Sequence, residues 1–167
     1  MTTLFGYKIR PAVYSDQQFL FEMMYQALFI EEGREPYPRD VLNRPEIARY
    51  VKDWGHLGDL GFIAEDARSE EPIGAVWCRL SSASDQGFAY INDETPELGI
   101  ALLPEYRGQG IGTALLEHLL EAAKNIYPAI SLSVSPNNPA IRLYERLGFK
   151  TVDVRNEYPV MTKAWDS

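Results

Sequence analysis

The chain has 167 residues, of which 46% are hydrophobic and 24% charged, a composition typical of one globular domain with a buried core. Its net charge of −8 lacks the basic surplus of proteins that bind phosphate backbones, so no nucleic-acid partner is expected. No stretch approaches the roughly 18 apolar residues of a transmembrane helix, and Lys8 and Arg10 precede no apolar signal segment. We therefore expect a cytoplasmic protein with no membrane partner.

The first third of the chain predicts a strand, a helix and a long polar excursion. Residues 7–12 have the pattern of a strand, and Ser15 followed by Gln18 has the spacing of a capping box that opens an apolar-faced helix. From residue 29 to about residue 58 the sequence is polar and interrupted by prolines, with a short helix predicted over residues 46–54. We interpret this excursion as a candidate wall of a substrate site.

The remainder predicts a hairpin followed by two units of strand and helix. Residues 61–65 and 73–80 form the hairpin, and residues 97–103 form a strand before an apolar helical repeat from Ile111 to Ile126. The predicted elements that follow are a strand over 130–134, a helix with Asn138 as its N-cap and Pro139 as its first residue, a stop at Gly148, and strands over 149–154 and 158–164. The sequence therefore predicts a single mixed α/β domain over residues 1–167.

The cysteine and histidine content argues against thiol and metal chemistry. The single cysteine, Cys78, lies in an apolar run, which favours a buried strand thiol over a nucleophile and excludes an internal disulfide. His56 and His118 have no carboxylate or cysteine at ligand spacing, so no metal is expected. We interpret His118 as a residue on a helix surface and His56 as part of a loop.

The segment from Pro104 to Thr113 indicates a phosphate site. Its three glycines, Gly108, Gly110 and Gly112, join a predicted strand to the N-terminus of a helix, where exposed backbone N–H groups and the helix dipole favour an anion. A nucleoside triphosphatase loop would need a lysine before Thr113, and a dinucleotide fingerprint would need glycine at 113 or 115. Neither pattern fits, although the loop still predicts a phosphorylated ligand.

Two motifs resemble the GNAT superfamily, the Gcn5-related N-acetyltransferases. Arg107-x-x-Gly110-x-Gly112 is similar to its acyl-coenzyme A signature, and the stretch from Asn137 through Tyr144 to Phe149 is similar to its second conserved block. The resemblance implies a central, mostly antiparallel mixed sheet flanked by helices. It also implies an N-acetyltransferase that passes the acetyl group of acetyl-CoA directly to a primary amine of a small molecule or peptide, without a metal. A module that binds or senses acyl-CoA without catalysis is the alternative.

The resemblance also assigns residues to the cofactor. It implies that backbone groups hold the pyrophosphate at Arg107, Gly108, Gln109, Gly110, Ile111, Gly112 and Thr113. The preceding strand, at Leu102 and Leu103, would hydrogen-bond the pantetheine arm as another strand does. Asn137 corresponds to an asparagine near the pantetheine, whereas Asn138 is assigned to the helix cap. A tight turn without a ligand is the alternative interpretation of the loop.

Acetylation of an ammonium group requires a base, and the departing thiolate requires an acid. Glu97 lies on the strand that leads into the glycine loop, and alternation places it on one face with Gly99 and Ala101, which leaves room for substrate or water. The resemblance implies that Glu97 is the base, with Glu94 as a substitute, while a hydrated structural glutamate is the alternative. It implies that Tyr144 is the general acid, while a packed aromatic is the alternative.

The acceptor site is expected in the polar excursion and has no recognisable motif. Its candidate residues are Tyr25, Phe29, Glu31, Glu32, Tyr37 and Trp54. Residues 31–71 contain eleven carboxylates against six basic residues, which makes a cationic amine plausible as the acceptor, although a solvated acidic surface is the alternative. The oligomeric state stays open, with a homodimer as one alternative.

Overall fold

A seven-stranded mixed sheet runs through the computed structural model, which describes residues 6–165. The strand order is β1-β2-β3-β4-β5-β7-β6, and every neighbouring pair is antiparallel except β4 and β5. The strands are β1 (Tyr7–Pro11), β2 (Leu60–Asp66), β3 (Pro72–Arg79), β4 (Glu97–Leu102), β5 (Ala129–Ser133), β6 (Lys150–Arg155) and β7 (Tyr158–Ala164). This architecture confirms the predicted mixed, mostly antiparallel sheet.

Helices cover both faces of this sheet, and each face has its own apolar core. The helices are α1 (Gln17–Ala27), α2 (Pro45–Ala48), α3 (Ile111–Ala123) and α4 (Ala140–Arg146). Leu20 and Met23 of α1 pack with Trp77 and Ala101 on one face, which we name the α1 face. Leu115 of α3 and the residues of α4 pack against the opposite face. None of the helices within residues 6–165 is long and apolar enough to cross a membrane.

The parallel strands β4 and β5 separate almost as soon as they meet. Their only paired residues are Glu97 and Ser131, next to a hydrogen bond from Ser131 N to Pro96 O of 3.0 Å. On its other side β4 stays paired with β3 as far as Leu102. A gap with one unpaired strand edge therefore opens in the middle of the sheet, directly before the glycine-rich loop.

Two predicted helix boundaries are wrong, the first because a side-chain contact competes with the local signal. Ser15 does not cap α1. Instead the Asp16 carboxylate accepts from Val13 N and pairs with Arg10, which closes a 3₁₀ turn before the helix begins at Gln17. The helix predicted over residues 46–54 is regular only to residue 48, and a left-handed residue at Asp53 (φ 55°) ends the segment.

The other two helices also differ from prediction near their ends. Helix α3 ends at Ala123, and Ile126 lies in the following turn with 57% of its surface exposed. Helix α4 begins at Ala140 rather than at Pro139, although Asn138 Oδ1 does accept from Ala140 N at 2.9 Å. Gly148, with φ of 99°, follows the helix as predicted.

Candidate active site

The glycine-rich loop presents free backbone donors at the start of α3. Gly108 and Gly110 have φ of 76° and 85°, a left-handed conformation that disfavours any residue with a Cβ. A Cβ added at either position would meet no atom within 4 Å. Glycine is therefore favoured here by the backbone conformation and not by steric crowding. The first helical hydrogen bond runs from Ala114 N to Gly110 O, which leaves the preceding N–H groups of the helix without an intrahelical partner. These donors suit a phosphate.

Two long polar side chains of the loop, Arg107 and Gln109, bond to protein groups. The Arg107 guanidinium donates to Gln26 Oε1 of α1 at 3.2 Å and to Leu102 O at 3.4 Å. Gln109 Nε2 donates to Glu105 O at 3.3 Å within the loop. Arg107 therefore ties the loop to α1, and the part of the loop that can meet an anion is its main chain.

The unpaired edge of β4 presents one hydrogen-bonding residue next to the loop. Leu103 N donates to Ile73 O of β3 at 2.9 Å, so the N–H of Leu103 is already used. Because neighbouring backbone groups of a strand point to opposite edges, the N–H of Leu102 points to the gap beside β5. Leu102 and Leu103 were both predicted to bind pantetheine. Of the two, only Leu102 directs its N–H toward the gap, since the N–H of Leu103 bonds to β3.

Glu97 is buried, with 2% of its surface exposed, and three donors hold its carboxylate. Tyr50 Oη donates to Oε1 at 3.2 Å, Ala89 N donates to Oε1 at 2.9 Å, and the Ser81 hydroxyl donates to Oε2. Gly87 lies so close that an added Cβ would overlap the carboxylate. The loop over residues 81–95 therefore closes over Glu97, so solvent does not reach it directly. Glu94, the substitute candidate, is exposed on this loop.

The expected room beside Glu97 is filled by an aromatic ring. Glu97, Gly99 and Ala101 do share the α1 face, but the indole of Trp77 lies over Gly99, where an added Cβ would sit 2.5 Å from the ring. Trp77 Nε1 is the one buried side-chain polar atom within residues 6–165 that has no hydrogen-bond partner. The prediction of free space at Gly99 is therefore wrong, since the absent side chain accommodates Trp77.

A buried arginine fixes the segment that carries Tyr50. Arg79 pairs with Asp59 at 2.8 Å, with 9% and 4% of the two side chains exposed. Its guanidinium also donates to the carbonyls of Arg49 (2.9 Å) and Lys52 (2.7 Å). These carbonyls flank Tyr50, so the buried charge positions the Tyr50 side chain over Glu97.

Tyr144 lies on α4 with 8% of its surface exposed and packs edge-on against Phe149 at 5.9 Å. Burial raises the pKa of Tyr144 to about 12, so the phenol keeps its proton at neutral pH. Cys78 is fully buried in β3, and burial raises the pKa of its thiol as well. This agrees with the interpretation of Cys78 as a core thiol, which cannot form a reactive thiolate without exposure.

Asn137 contacts the excursion after α1. Its Nδ2 donates to Glu31 Oε1 at 2.8 Å, while Glu31 also lies 3.9 Å from Arg34. This hydrogen bond therefore joins the loop before α4 to the segment after α1. Glu31 is the one carboxylate of the predicted acceptor wall that contacts a predicted cofactor residue.

The remaining acceptor candidates do not form a single acidic cleft. Tyr25 Oη donates to Tyr37 O at 2.6 Å, and Glu32 is exposed. Phe29 is half-buried. Trp54 is buried in the core with 3% exposed and packs against Gly61 and Trp77, so its assignment to the acceptor wall is wrong.

Ion pairs engage four of the eleven carboxylates over residues 31–71, of which Glu31 is one. Asp59 pairs with Arg79, Glu65 pairs with Arg10, and Glu70 lies 3.5 Å from Lys8. The excess of carboxylates in the sequence is thus distributed over several separate contacts. It does not by itself create a binding site for a cation.

His118 lies away from this site, whereas His56 lines a surface cavity of about 250 Å³ together with Tyr50, Arg79 and Ser81. His56 is exposed in a loop, and His118 is exposed on α3, edge-on to Phe62 at 4.5 Å, as interpreted from the sequence. Within the described range of 6–165, no group of three or more His, Cys, Asp or Glu side chains has the arrangement of a metal site.

The residues around Glu97 are absent from the sequence prediction. Tyr50, Ser81 and Ala89 lie 47, 16 and 8 positions from Glu97, and none belongs to a recognisable motif. The nearest signal is the short polar segment between residues 81 and 93, which contains Gly87. This segment could have indicated a loop that folds over the start of β4, but not that the loop donates hydrogen bonds to Glu97.

Comparisons with known proteins identify similar chains. The profile of the acetyltransferase (GNAT) family matches residues 21–149. An N-alpha-acetyltransferase of Sulfurisphaera tokodaii is 48% identical over 65 residues, which cover 36% of this chain and 38% of that protein. The ribosomal protein bS18 alanine N-acetyltransferase of Escherichia coli K12 is 36% identical over 103 residues, 49% of this chain and 70% of that protein. A Thermoplasma acidophilum PaiA N-acetyltransferase, solved in complex with coenzyme A, superposes with a TM-score of 0.62 at 24% identity, covering 96% of this chain and 99% of that one.

Proposed function

The chain belongs to the acetyltransferase (GNAT) family of acyltransferases, and we propose that it transfers the acetyl group of acetyl-CoA directly to a primary amine of a small molecule or peptide. One observation supports the donor most strongly. The gap between β4 and β5 lies next to the free N–H groups at the start of α3, so a strand-edge site and an anion site adjoin each other. This is the arrangement that an extended arm with a pyrophosphate at one end requires.

In this proposal the main chain binds the donor. The N–H groups from Arg107 to Thr113 hold the pyrophosphate, and the pantetheine arm lies along the β4 edge at Leu102 and Leu103. Leu102 supplies the N–H, because that of Leu103 bonds to β3. Asn137 borders the same gap from the β5 side, where acetyl-CoA would compete with Glu31 for its amide. Backbone donors explain how a chain of net charge −8 could bind a polyanion.

Glu97 and Tyr144 have complementary roles in the proposed transfer. An alkylamine with an ordinary pKa of about 10.4 is mostly ammonium at neutral pH and must lose a proton before it attacks the thioester carbon. Glu97 is the final acceptor of that proton. When the tetrahedral intermediate collapses, the C–S bond breaks, and the Tyr144 hydroxyl gives its proton to the departing thiolate. The buried Cys78 takes no part as an acyl carrier.

The names of the two relatives suggest which acceptors should be tested first. Both are described as enzymes that acetylate an α-amine or the alanine of a ribosomal protein. A peptide with a free N-terminal amine therefore belongs beside polyamines, amino acids, aminoglycosides and peptides that contain lysine.

Calorimetric titration with acetyl-CoA, followed by a thiol-release assay over this amine panel, tests the proposal. We expect saturable binding and amine-dependent release of coenzyme A. Binding without turnover for any amine would favour an acyl-CoA sensor instead. No binding at millimolar acetyl-CoA would contradict both functions.

A further inference from the structure

The burial of Glu97 means that an amine needs an intermediate group to deliver its proton. Only 2% of Glu97 is exposed, and the loop over residues 81–95 covers it. Two side-chain hydroxyls touch the carboxylate, those of Tyr50 and Ser81. These two hydroxyls are the side-chain groups in contact with the carboxylate that carry a transferable proton.

Tyr50 is the better placed of the two. Its ring comes from the segment that covers the α1 face, and it stacks at 6.3 Å on Phe88, which is 54% exposed. Two aromatic rings beside solvent form a surface that attracts a cationic amine. Ser81 lies two residues after β3 and is bonded to Oε2 rather than to Oε1, without an aromatic surface of its own beside it.

The hydrogen bonds of Tyr50 suit transfer of a proton. Tyr50 Oη donates to Glu97 Oε1 at 3.2 Å and accepts from Phe88 N at 2.7 Å. A phenol oxygen has two lone pairs, so one remains for an incoming N–H donor. Burial and the nearby Glu97 charge raise the pKa of Tyr50, so the hydroxyl holds its proton until Glu97 receives it.

We infer that Tyr50 is a further catalytic residue that relays the proton of the acceptor amine to Glu97, an inference that rests on the proposed amine acetylation. One N–H bond of the ammonium breaks as its proton moves to Tyr50 Oη. The Tyr50 O–H bond breaks as that proton moves to Glu97 Oε1. The products are a neutral amine, an unchanged phenol and a protonated Glu97, and no oxidation takes place. Arg79 preorganises the relay because it holds the carbonyls on both sides of Tyr50.

Substitution of Tyr50 by phenylalanine tests the relay, since it keeps the ring and removes only the hydroxyl. We expect kcat to fall about a hundredfold or more, as for loss of a general base, while the Kd for acetyl-CoA stays that of the wild type. Tyr90→Phe is the matched control, because Tyr90 lies on the loop over residues 81–95 that covers Glu97, and its hydroxyl bonds to Asp93 instead of Glu97. Ser81→Ala also removes a donor to Glu97, and we expect it to lower kcat far less than Tyr50→Phe does.

The basicity of the acceptor provides a readout that a purely structural role would not change. The best amine of the panel is compared with the same amine fluorinated beside its nitrogen, which is less protonated at neutral pH. The relay predicts that the ratio of wild-type to Tyr50→Phe rates falls for the weaker base. It also predicts that Tyr50→Phe combined with Glu97→Gln is no slower than the slower single variant, because the two groups act as a unit.

Three results would overturn the inference while wild-type turnover stands. They are a Tyr50→Phe variant that binds acetyl-CoA and keeps its kcat, a rate ratio independent of amine basicity, and independent, multiplicative losses in the double variant. Failure of the proposed function gives a different result, since the wild type itself would then acetylate no amine.

Discussion

The two kinds of glycine in the phosphate loop should respond oppositely to the same substitution. Gly110 is left-handed at φ of 85° and precedes α3, whereas Gly112 is the second residue of that helix. We consider Gly110→Ala and Gly112→Ala, which add the same methyl group two positions apart. Neither Cβ clashes, since nothing lies within 4 Å at Gly110 and the nearest atom at Gly112 is Leu102 Cδ1 at 3.7 Å.

Backbone energetics therefore determines the magnitudes. An L-residue in the left-handed region costs about 1–2 kcal/mol, so Gly110→Ala should lower the free energy of unfolding by about that amount. In a helix, alanine is favoured over glycine by up to about 1 kcal/mol, so Gly112→Ala should raise it. If the loop shifts to relieve the strain at Gly110, its amide donors move away from the phosphates. A loss of about 1–2 kcal/mol of binding free energy would lower the affinity for acetyl-CoA about five- to thirtyfold.

Thermal unfolding and acetyl-CoA titration measure both effects. For a chain of this length, each kcal/mol of stability shifts Tm by about 2–4 °C. The Tm of Gly110→Ala should therefore lie below that of the wild type, and the Tm of Gly112→Ala above it. Because an added Cβ at Gly112 makes only ordinary contacts, we expect Gly112→Ala to bind acetyl-CoA as the wild type does. Equal stability of the two variants, or tighter binding by Gly110→Ala, would refute this reasoning.

Four further predictions concern the buried side chains of Tyr144, Arg79 and Cys78. Tyr144→Phe should lower kcat about a hundredfold or more with acetyl-CoA affinity retained, and full activity would refute the acid role. Since the pKa of Tyr144 is raised to about 12, its ionisation should not lower wild-type kcat between about pH 7 and pH 10, which a pH–rate profile measures. Arg79→Met should lower the free energy of unfolding in urea by about 3–5 kcal/mol, because Asp59 loses its buried partner, and Asp59→Asn in that background should recover part of it. Iodoacetamide should neither label Cys78 in the native protein nor slow turnover, whereas rapid labelling would contradict its burial.

The phosphate loop and the sheet were predictable because their determinants are local. A strand that runs into three closely spaced glycines and then an apolar helical repeat permits few conformations. The structure places Gly108 and Gly110 in the left-handed region and begins α3 directly after Gly110. Strand alternation also placed Glu97, Gly99 and Ala101 on one face.

The surroundings of Glu97 were not predictable because they depend on contacts between distant residues. Strand alternation shows which face a residue occupies, but it does not show that Trp77 of the neighbouring strand fills the space at Gly99. Tyr50 reaches Glu97 because the buried Arg79 binds carbonyls of the segment that carries it. One buried arginine thus accounts for a site residue that no local pattern of the sequence predicts.

Transfer of an isotopically labelled acetyl group from acetyl-CoA, followed by mass spectrometry of the amine panel, tests the central claim most directly. The account predicts that the label appears on the nitrogen of at least one acceptor in step with release of coenzyme A, and that Tyr144→Phe slows both together. An unlabelled panel from protein that demonstrably binds acetyl-CoA would contradict it.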